Sequence, residues 1–246
     1  MECIRSVSEA VRLAHELHKK LGGVLPWWRG QSDSTWKLEP VISRSEFRNK
    51  GLEKNFLGLF LLGAPSRHSS LPSRDDRAGW LFLARHYGLP TRLLDWTEAP
   101  LIALYFAVTP SEGGDGALWA LDPNELNYQV MGMRGVFLPE REHVGPLFHR
   151  AFSGEKADSD RIAAVLPFEV DTRILLQLSR FTIHESASPL EELVADTAVV
   201  RKIVIPSSSK LPIATELESL GFRHSTIFPD LSTLAKYISG LRFRDG

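Results

Sequence analysis

Residues 24–30 read VLPWWRG. An apolar and aromatic run with Gly22-Gly23 before it and Gly30 after it reads as a short strand. Pro26 has no N–H to give to a ladder, which puts it at the strand's start or on a sheet edge. Arg29 and Gly30 then fall where the strand passes into the polar run QSDSTWK. Side chains alternate along a strand, so Trp27 and Trp28 face opposite ways: one enters the core and the other flanks the arginine. The Arg29 guanidinium offers five donors in a rigid fork that suits phosphate, and Gly30, lacking a Cβ, admits a ligand or another backbone at close range. An internal salt bridge that holds the loop is the alternative use of this arginine.

Working outward, Ser6 and Glu9 form a capping-box pattern, and Val7, Val11, Ala14, Leu17 and Leu21 recur at helical spacing until the glycine pair. LEKNFLGLFLLG (52–63) reads as a buried helix and PSRHSSLPSRDD (65–76) as a polar loop. DDRAGWLFLARHYG (75–88) places Trp80, Leu83, Ala84 and Tyr87 on one helical face and closes at Gly88, so His86 and Tyr87 stand at a helix C-terminus. PTRLLDWTEAPLIALYFAV (90–108) reads as a tight connection followed by a short apolar helix from Pro100. GALWALDP, RFTIHE and AVVRKIVIPSS read as strands, with DTRILLQLS as a helix running into the second of them. KLPIATELESLGF and PDLSTLAKYISGL read as closing helices. Residues 123–160 show no sustained period. These elements predict one α+β domain over residues 1–246, with a mixed or antiparallel sheet core and several flanking helices.

Hydrophobic residues make up 43% and charged residues 24% of the 246, the composition of an ordinary globular chain. A net charge of -1 gives no global attraction to nucleic acid or anionic lipid, so any polyanion site is local. Cys3 is the single cysteine, which excludes an internal disulfide and a cysteine-rich zinc cluster. The amphipathic N-terminus does not read as a secretory leader, and no run approaches the roughly 18 apolar residues of a membrane span. The expectation is a cytoplasmic protein without a membrane partner. There is no Gly-x-Ser-x-Gly elbow. His15 and His18 share a helix face that reads as solvated, so no metal site is expected, and the turn EGGDG (112–116) carries carboxylates that repel phosphate. A site in this chain is left to Arg, His, Gln and Glu.

Four stretches taken in order resemble the FRG domain family, named for a Phe-Arg-Gly motif: WWRGQSDSTWKLEPVISR, LARHYGLPTRLLDWTEAPLIALYFAV, RILLQLSRFTIHE and IFPDLSTLAKYI. Trp28 stands where the family name has phenylalanine, Arg85 where glutamine usually precedes the histidine, and Ser179 where a glycine usually follows the glutamine segment. The family is widespread in bacteria and their phages, which implies a defence or toxin setting. An aromatic-Arg-Gly at the end of the first strand is also distantly similar to the opening motif of ADP-ribosyltransferases. That likeness implies an NAD-consuming transferase, NAD as substrate, and a macromolecular acceptor.

Within these stretches, Trp28, Arg29, Gly30 and Gln31 form the candidate anion-binding strand end, completed by Tyr87, Gly88, Thr91, Arg92, Asp95 and Gln177. His86 is a candidate acid or base, its ordinary pKa lying near 6.5, although a histidine at a helix end also serves as a capping donor. Thr91, Arg92, Asp95 and Trp96 are expected within a tight turn, where Arg92 and Asp95 can pair with each other. By the transferase likeness Arg29 holds phosphate, Trp28 or Tyr87 lies against a ring, His86 orients ribose, and a late glutamate, Glu185 or Glu191 with its neighbour Glu192, activates it. The alternative is a non-catalytic module that binds a nucleotide, a nucleic acid or a protein through the same cleft. For nucleic acid, the relevant mixture is Arg29, Trp36, Lys37, Arg44 and Arg48.

Overall fold

The computed structural model describes residues 2–47, 51–109, 114–155, 160–168, 172–186, 188–194 and 196–240. The elements run α1 (Val7–Lys20), β1 (Trp27–Gln31), α2 (Leu52–Gly63), α3 (Arg77–His86), β2 (Leu93–Thr97), α4 (Pro100–Val108), β3 (Gly116–Leu121), α5 (Pro123–Met131) and α6 (Gly145–Ser153). They continue as β4 (Ile162–Val165), α7 (Thr172–Leu176), β5 (Ser179–His184), α8 (Leu190–Leu193), β6 (Val200–Ile205), α9 (Ser207–Ser219), α10 (His224–Ile227) and α11 (Leu231–Gly240). The six strands form one α+β sheet in the order β4-β5-β2-β1-β3-β6, with every pairing antiparallel. Among the described residues no helix is long and apolar enough to cross a membrane.

Strand β1 starts directly after Pro26 and is central, paired along its whole length with β3. On its other side it shares a single residue pair with β2, Trp28 opposite Thr97. The sheet is therefore two three-stranded halves, β4-β5-β2 and β1-β3-β6, that meet at one point and splay from it. Alternation along the strands gives this seam two unlike faces. On one face, Trp27, Leu94, Trp96, Trp119, Ile162 and Ala164 belong to a single core cluster that crosses both halves. On the other face, α1, α4 and α9 cover Trp28, Leu118 and Ile203 over one half, while α2, α3 and α6 cover Leu93, Phe181 and Ile183 over the other. The second face is thus divided above the seam.

Several local expectations are corrected. Both tryptophans are buried, Trp27 in the continuous cluster and Trp28 under α4, so neither stands exposed beside the arginine. The "tight turn" after Pro90 is strand β2: alternation had been masked because Leu93 and Leu94 are buried on opposite faces and Asp95 interrupts the apolar pattern. Helix α2 forms where expected but is not buried all round, since Leu59 and Leu62 are exposed. In the region without a period lie α5, capped by Asp122, and α6, with β4 directly after it. At α1, Ser6 accepts from the Glu9 N–H, but the Glu9 carboxylate takes the N–H of Arg5 rather than that of Ser6. Arg48 and the first residues of EGGDG lie outside the described residues.

Two backbone positions fix how the seam is held. A Cβ built at Gly30 would lie 1.8 Å from the Ala103 carbonyl oxygen and 2.6 Å from the Ala107 nitrogen, so the glycine exists to let α4 lie on β1. Leu178, in the turn between α7 and β5, has φ 45°, and among the described residues it is the one non-glycine in the left-handed region. It is held there by its N–H to the Leu175 carbonyl and its own carbonyl accepting from Glu98. We expect Gly30→Ala to cost more than about 3 kcal/mol, since the clash is with backbone rather than with a movable side chain. Leu178→Gly should instead stabilise by about 0.5–1 kcal/mol, the left-handed cost of about 1–2 kcal/mol less the entropy of a new glycine. Urea midpoints of the two variants against wild type check both signs.

Candidate functional site

A cleft of about 820 Å³ opens on the divided face, directly over the seam. Its floor is made by face-alternating residues of the parting strands, Trp28, Asp95, Thr97, Ser179 and Phe181. The end of α3 supplies one wall, from Arg85 to Gly88, and α4 supplies the other with Ile102, Ala103 and Phe106. Gly88 at φ +84° ends α3 in the left-handed conformation a glycine takes most readily and so turns the chain at the cleft edge. From α7 come Arg173 and Ile174, with Gln177 just after it, and the link into α11 contributes Phe228, Pro229 and Asp230, with Ser232 from the first turn of α11.

Arg29 belongs by alternation to the continuous face with Trp27 and Gln31, yet its guanidinium lines the cleft. It therefore reaches back through the seam, where Nη1 donates to the Asp95 carbonyl oxygen at 2.8 Å. This side chain takes up a strand carbonyl that, with β1 and β2 parted, has no ladder partner on β1. The Arg29 Nη1 also lies 3.7 Å from the Asp95 carboxylate, which Arg85 grips with two nitrogens, Nε at 3.0 Å and Nη2 at 2.5 Å. Asp95 stays open to the cleft, its side chain 39% exposed, whereas both arginines are largely buried. Burial is the main influence on Arg29 and pulls its pKa down to about 10 against the opposing pull of Asp95; the group remains charged at neutral pH. Burial raises the Asp95 pKa, but the charges and hydrogen bonds of Arg85 and Arg29 outweigh it and hold the carboxyl below its usual range. Asp95 in turn raises Arg85.

Behind the seam, on the continuous face, buried polar groups pair with one another, while His184 Nδ1 is left without a hydrogen-bond partner among the described residues. Trp119 Nε1 donates to Gln31, whose amide donates to the Lys37 carbonyl. Trp96 Nε1 donates to the Thr182 hydroxyl, which is paired with His184 Nε2 at 2.8 Å. Burial first, and the Arg29 charge second, bring His184 down to about 3, so its ring is neutral at physiological pH.

The structure gathers Trp28, Arg29, Gly30, His86, Tyr87, Gly88, Asp95 and Gln177 at one cleft, and it places the remaining candidates elsewhere. Gln31 is sealed beneath the sheet and Thr91 is fully buried. Arg92, one residue before β2, pairs with Glu53 of α2 at 2.8 Å rather than with Asp95, which is gripped by Arg85. Glu185 is buried in an ion pair with Arg150, with Arg161 close by. Glu191 accepts from the Leu38 N–H, and Glu192 pairs with Lys37 at the surface. None of the three late glutamates lines the cleft. Sequence reasoning had passed over Arg85, Arg173, Phe106 and Phe228 as cleft residues. Arg173 was within its reach, lying four residues before Gln177 and so on the same helical face. Phe106 and Phe228 carry no local signal, since their meeting across the cleft depends on the tertiary fold.

Residues 26–115 match the model of the FRG domain family, so the segment from the residue before β1 to the residue before β3 carries an FRG domain. This includes Arg29, α3, β2 and α4, which together form the seam and two of the cleft walls; α7, α10 and α11 lie beyond it. No curated protein and no solved structure matches the chain.

The Asp95 cluster makes a pH prediction with a definite sign. The folded pKa lies below the unfolded value of about 3.9, so the stabilisation is complete above that value and is lost as the pH falls through the depressed one. Asp95→Asn should lower stability at neutral pH, where it leaves Arg29 and Arg85 facing each other without an anion. It should also flatten the loss of stability below about pH 4 relative to wild type. Urea midpoints measured across that range check the slope.

Proposed function

We propose, from the premise that residues 26–115 are an FRG domain, that the seam cleft binds a nucleotide, with NAD as the first ligand to test. One observation carries this reading: two guanidinium groups, Arg29 and Arg85, converge on a single half-open carboxylate at the base of the cleft. The cluster keeps a net positive charge in a partly enclosed space, which favours an anionic group of a ligand. Tyr87, Phe106 and Phe228 offer aromatic surface at the cleft walls and mouth for a planar ring. The cleft volume falls in the range of small-molecule sites, about 300–1,000 Å³.

Two readings share this ligand. In the transferase reading, Arg29 holds phosphate, His86 orients ribose, and a carboxylate stabilises the developing positive charge as nicotinamide leaves. In the binding reading the cleft only recognises the nucleotide. The carboxylates separate them: Glu185 and Glu191 are engaged away from the cleft, Asp95 is gripped by arginine, and Asp230 caps α11 through the Thr233 N–H and the hydroxyls of Ser232 and Thr233. That placement favours binding over ADP-ribosyl transfer. The family resemblance supports a cytoplasmic setting in defence or as a toxin.

The test is a thermal-shift titration of wild type and Arg29→Ala with NAD, ADP-ribose and a short single-stranded oligonucleotide, since a ligand of the folded state raises the melting temperature by mass action. The variant should fold, because Arg85 still holds Asp95, but lose about 1–3 kcal/mol with the orphaned Asp95 carbonyl. A dinucleotide-dependent shift that disappears in folded Arg29→Ala is the expected result. A shift with the oligonucleotide alone would overturn it. Nicotinamide release from NAD by wild type would reverse the order of the two readings.

A further inference from the structure

The floor of the cleft carries acceptors as well as positive charge. Asp95 lies opposite Phe181 and Ser179 opposite Thr97, so Asp95 and Ser179 are diagonal neighbours on the cleft-facing side of the β2–β5 pair. The Thr97 hydroxyl is committed within the protein, donating to the Gln177 carbonyl at 2.6 Å and accepting from the Ala99 N–H at 2.9 Å. The Ser179 hydroxyl has no hydrogen-bond partner among the described residues, although the residue is 8% exposed and lines the cleft. The Asp95 carboxylate is held unevenly. Its Oδ2 takes Arg85 Nη2 at 2.5 Å and Nε at 3.1 Å and has Arg29 Nη1 at 3.7 Å, whereas Oδ1 takes the shared Arg85 Nε at 3.0 Å.

An ionised carboxylate accepts at about four lone-pair positions, and with 39% of its side chain exposed Asp95 keeps some of them turned to whatever fills the cleft. A phosphate set directly against it is repelled. The donors left for a phosphate are the remaining terminal nitrogens, Arg29 Nη2 and Arg85 Nη1, because Arg29 Nη1 and Arg85 Nε and Nη2 are bonded to Asp95. The floor therefore has a cationic half and an acceptor half side by side, and an occupant satisfies both when it brings an anion to the first and O–H donors to the second. Resting on the proposal that the cleft takes a nucleotide, we infer that it selects ribonucleotides, with Asp95 as the specificity-determining residue. Asp95 Oδ1 accepts from one hydroxyl of the ribose 2′,3′-diol, and Ser179 Oγ pairs with the other. A deoxyribose sets C–H against one of these groups and strips it of water without replacing the hydrogen bond, which costs more than the loss of a contact.

The experiment is calorimetric titration of wild type, Asp95→Asn and Ser179→Ala with ADP, 2′-deoxy-ADP and 3′-deoxy-ADP. Wild type should bind ADP about tenfold or more tighter than either deoxy analogue. Ser179→Ala should lose the discrimination against one analogue and keep it against the other. Asp95→Asn should narrow the remaining gap, because a neutral amide turns its oxygen to Arg85 and no longer presents a charged acceptor to the sugar. If Asp95→Asn does not fold, the wild-type series and Ser179→Ala decide the matter. Equal binding of ADP and both deoxy analogues by wild type, or discrimination unchanged in the folded variants, overturns the sugar assignment and leaves the nucleotide cleft standing. Wild type that binds neither these ligands nor ADP-ribose overturns both.

Discussion

The architecture depends on one hydrogen bond between a side chain and a strand. Where β1 and β2 part after Trp28 and Thr97, the backbone of a central strand faces a gap that a continuous sheet would have filled with its ladder. Buried backbone carbonyls need partners, and at Asp95 that partner is the Arg29 guanidinium. The same group that closes the backbone of the seam thus places positive charge at the bottom of the opening the seam creates. Arg85 and the Asp95 carboxylate complete the cluster, so that fold integrity and site electrostatics rest on the same three residues.

This sharing bears on the two roles open to Arg29 from sequence, ligand contact and internal salt bridge. The geometry makes them one role in two parts. Nη1 is committed to Asp95, which holds the guanidinium in the cleft instead of removing it from the cleft. An arginine held by a carbonyl and by a carboxylate with a second arginine is preorganised, and little side-chain entropy remains to be lost when an anion arrives. Gly30 contributes in a different way from a ligand-facing glycine. It brings α4 against β1 and so sets the position of the wall carrying Ala103 and Phe106.

Most elements with a complete local pattern were legible in the sequence. Helix α3 was readable to its Gly88 terminus because burial, capping and the following proline agree, and β1, β3 and β6 were readable from short β-branched and aromatic runs. Strand β2 was not, because a charged residue interrupts it and its apolar residues face two different cores. That one miss propagated, since treating residues 91–96 as a turn drew Thr91 and Arg92 into the site beside Asp95. Thr91 is instead buried, and Arg92, just ahead of the strand, is held by Glu53. The late glutamates were nominated by order along the chain, which carries no information about the side of the sheet on which each would fall. Glu185, one residue beyond β5, found Arg150 on α6.

The two faces of the sheet also differ mechanically. Beneath the seam, Trp27, Trp96 and Trp119 form part of an apolar layer that runs unbroken from one half to the other, while above it the helices stand in two groups. Such a molecule is built like a bound book, with a spine of close-packed rings and covers that carry α3 on one side and α4 on the other. Dense packing resists sliding far more than a small change of angle, so the covers move chiefly by opening. The base of the cleft, at Arg29 and Asp95, therefore acts as a fixed gauge, and the mouth at Tyr87, Phe106 and Phe228 is where accommodation to the size of an occupant takes place.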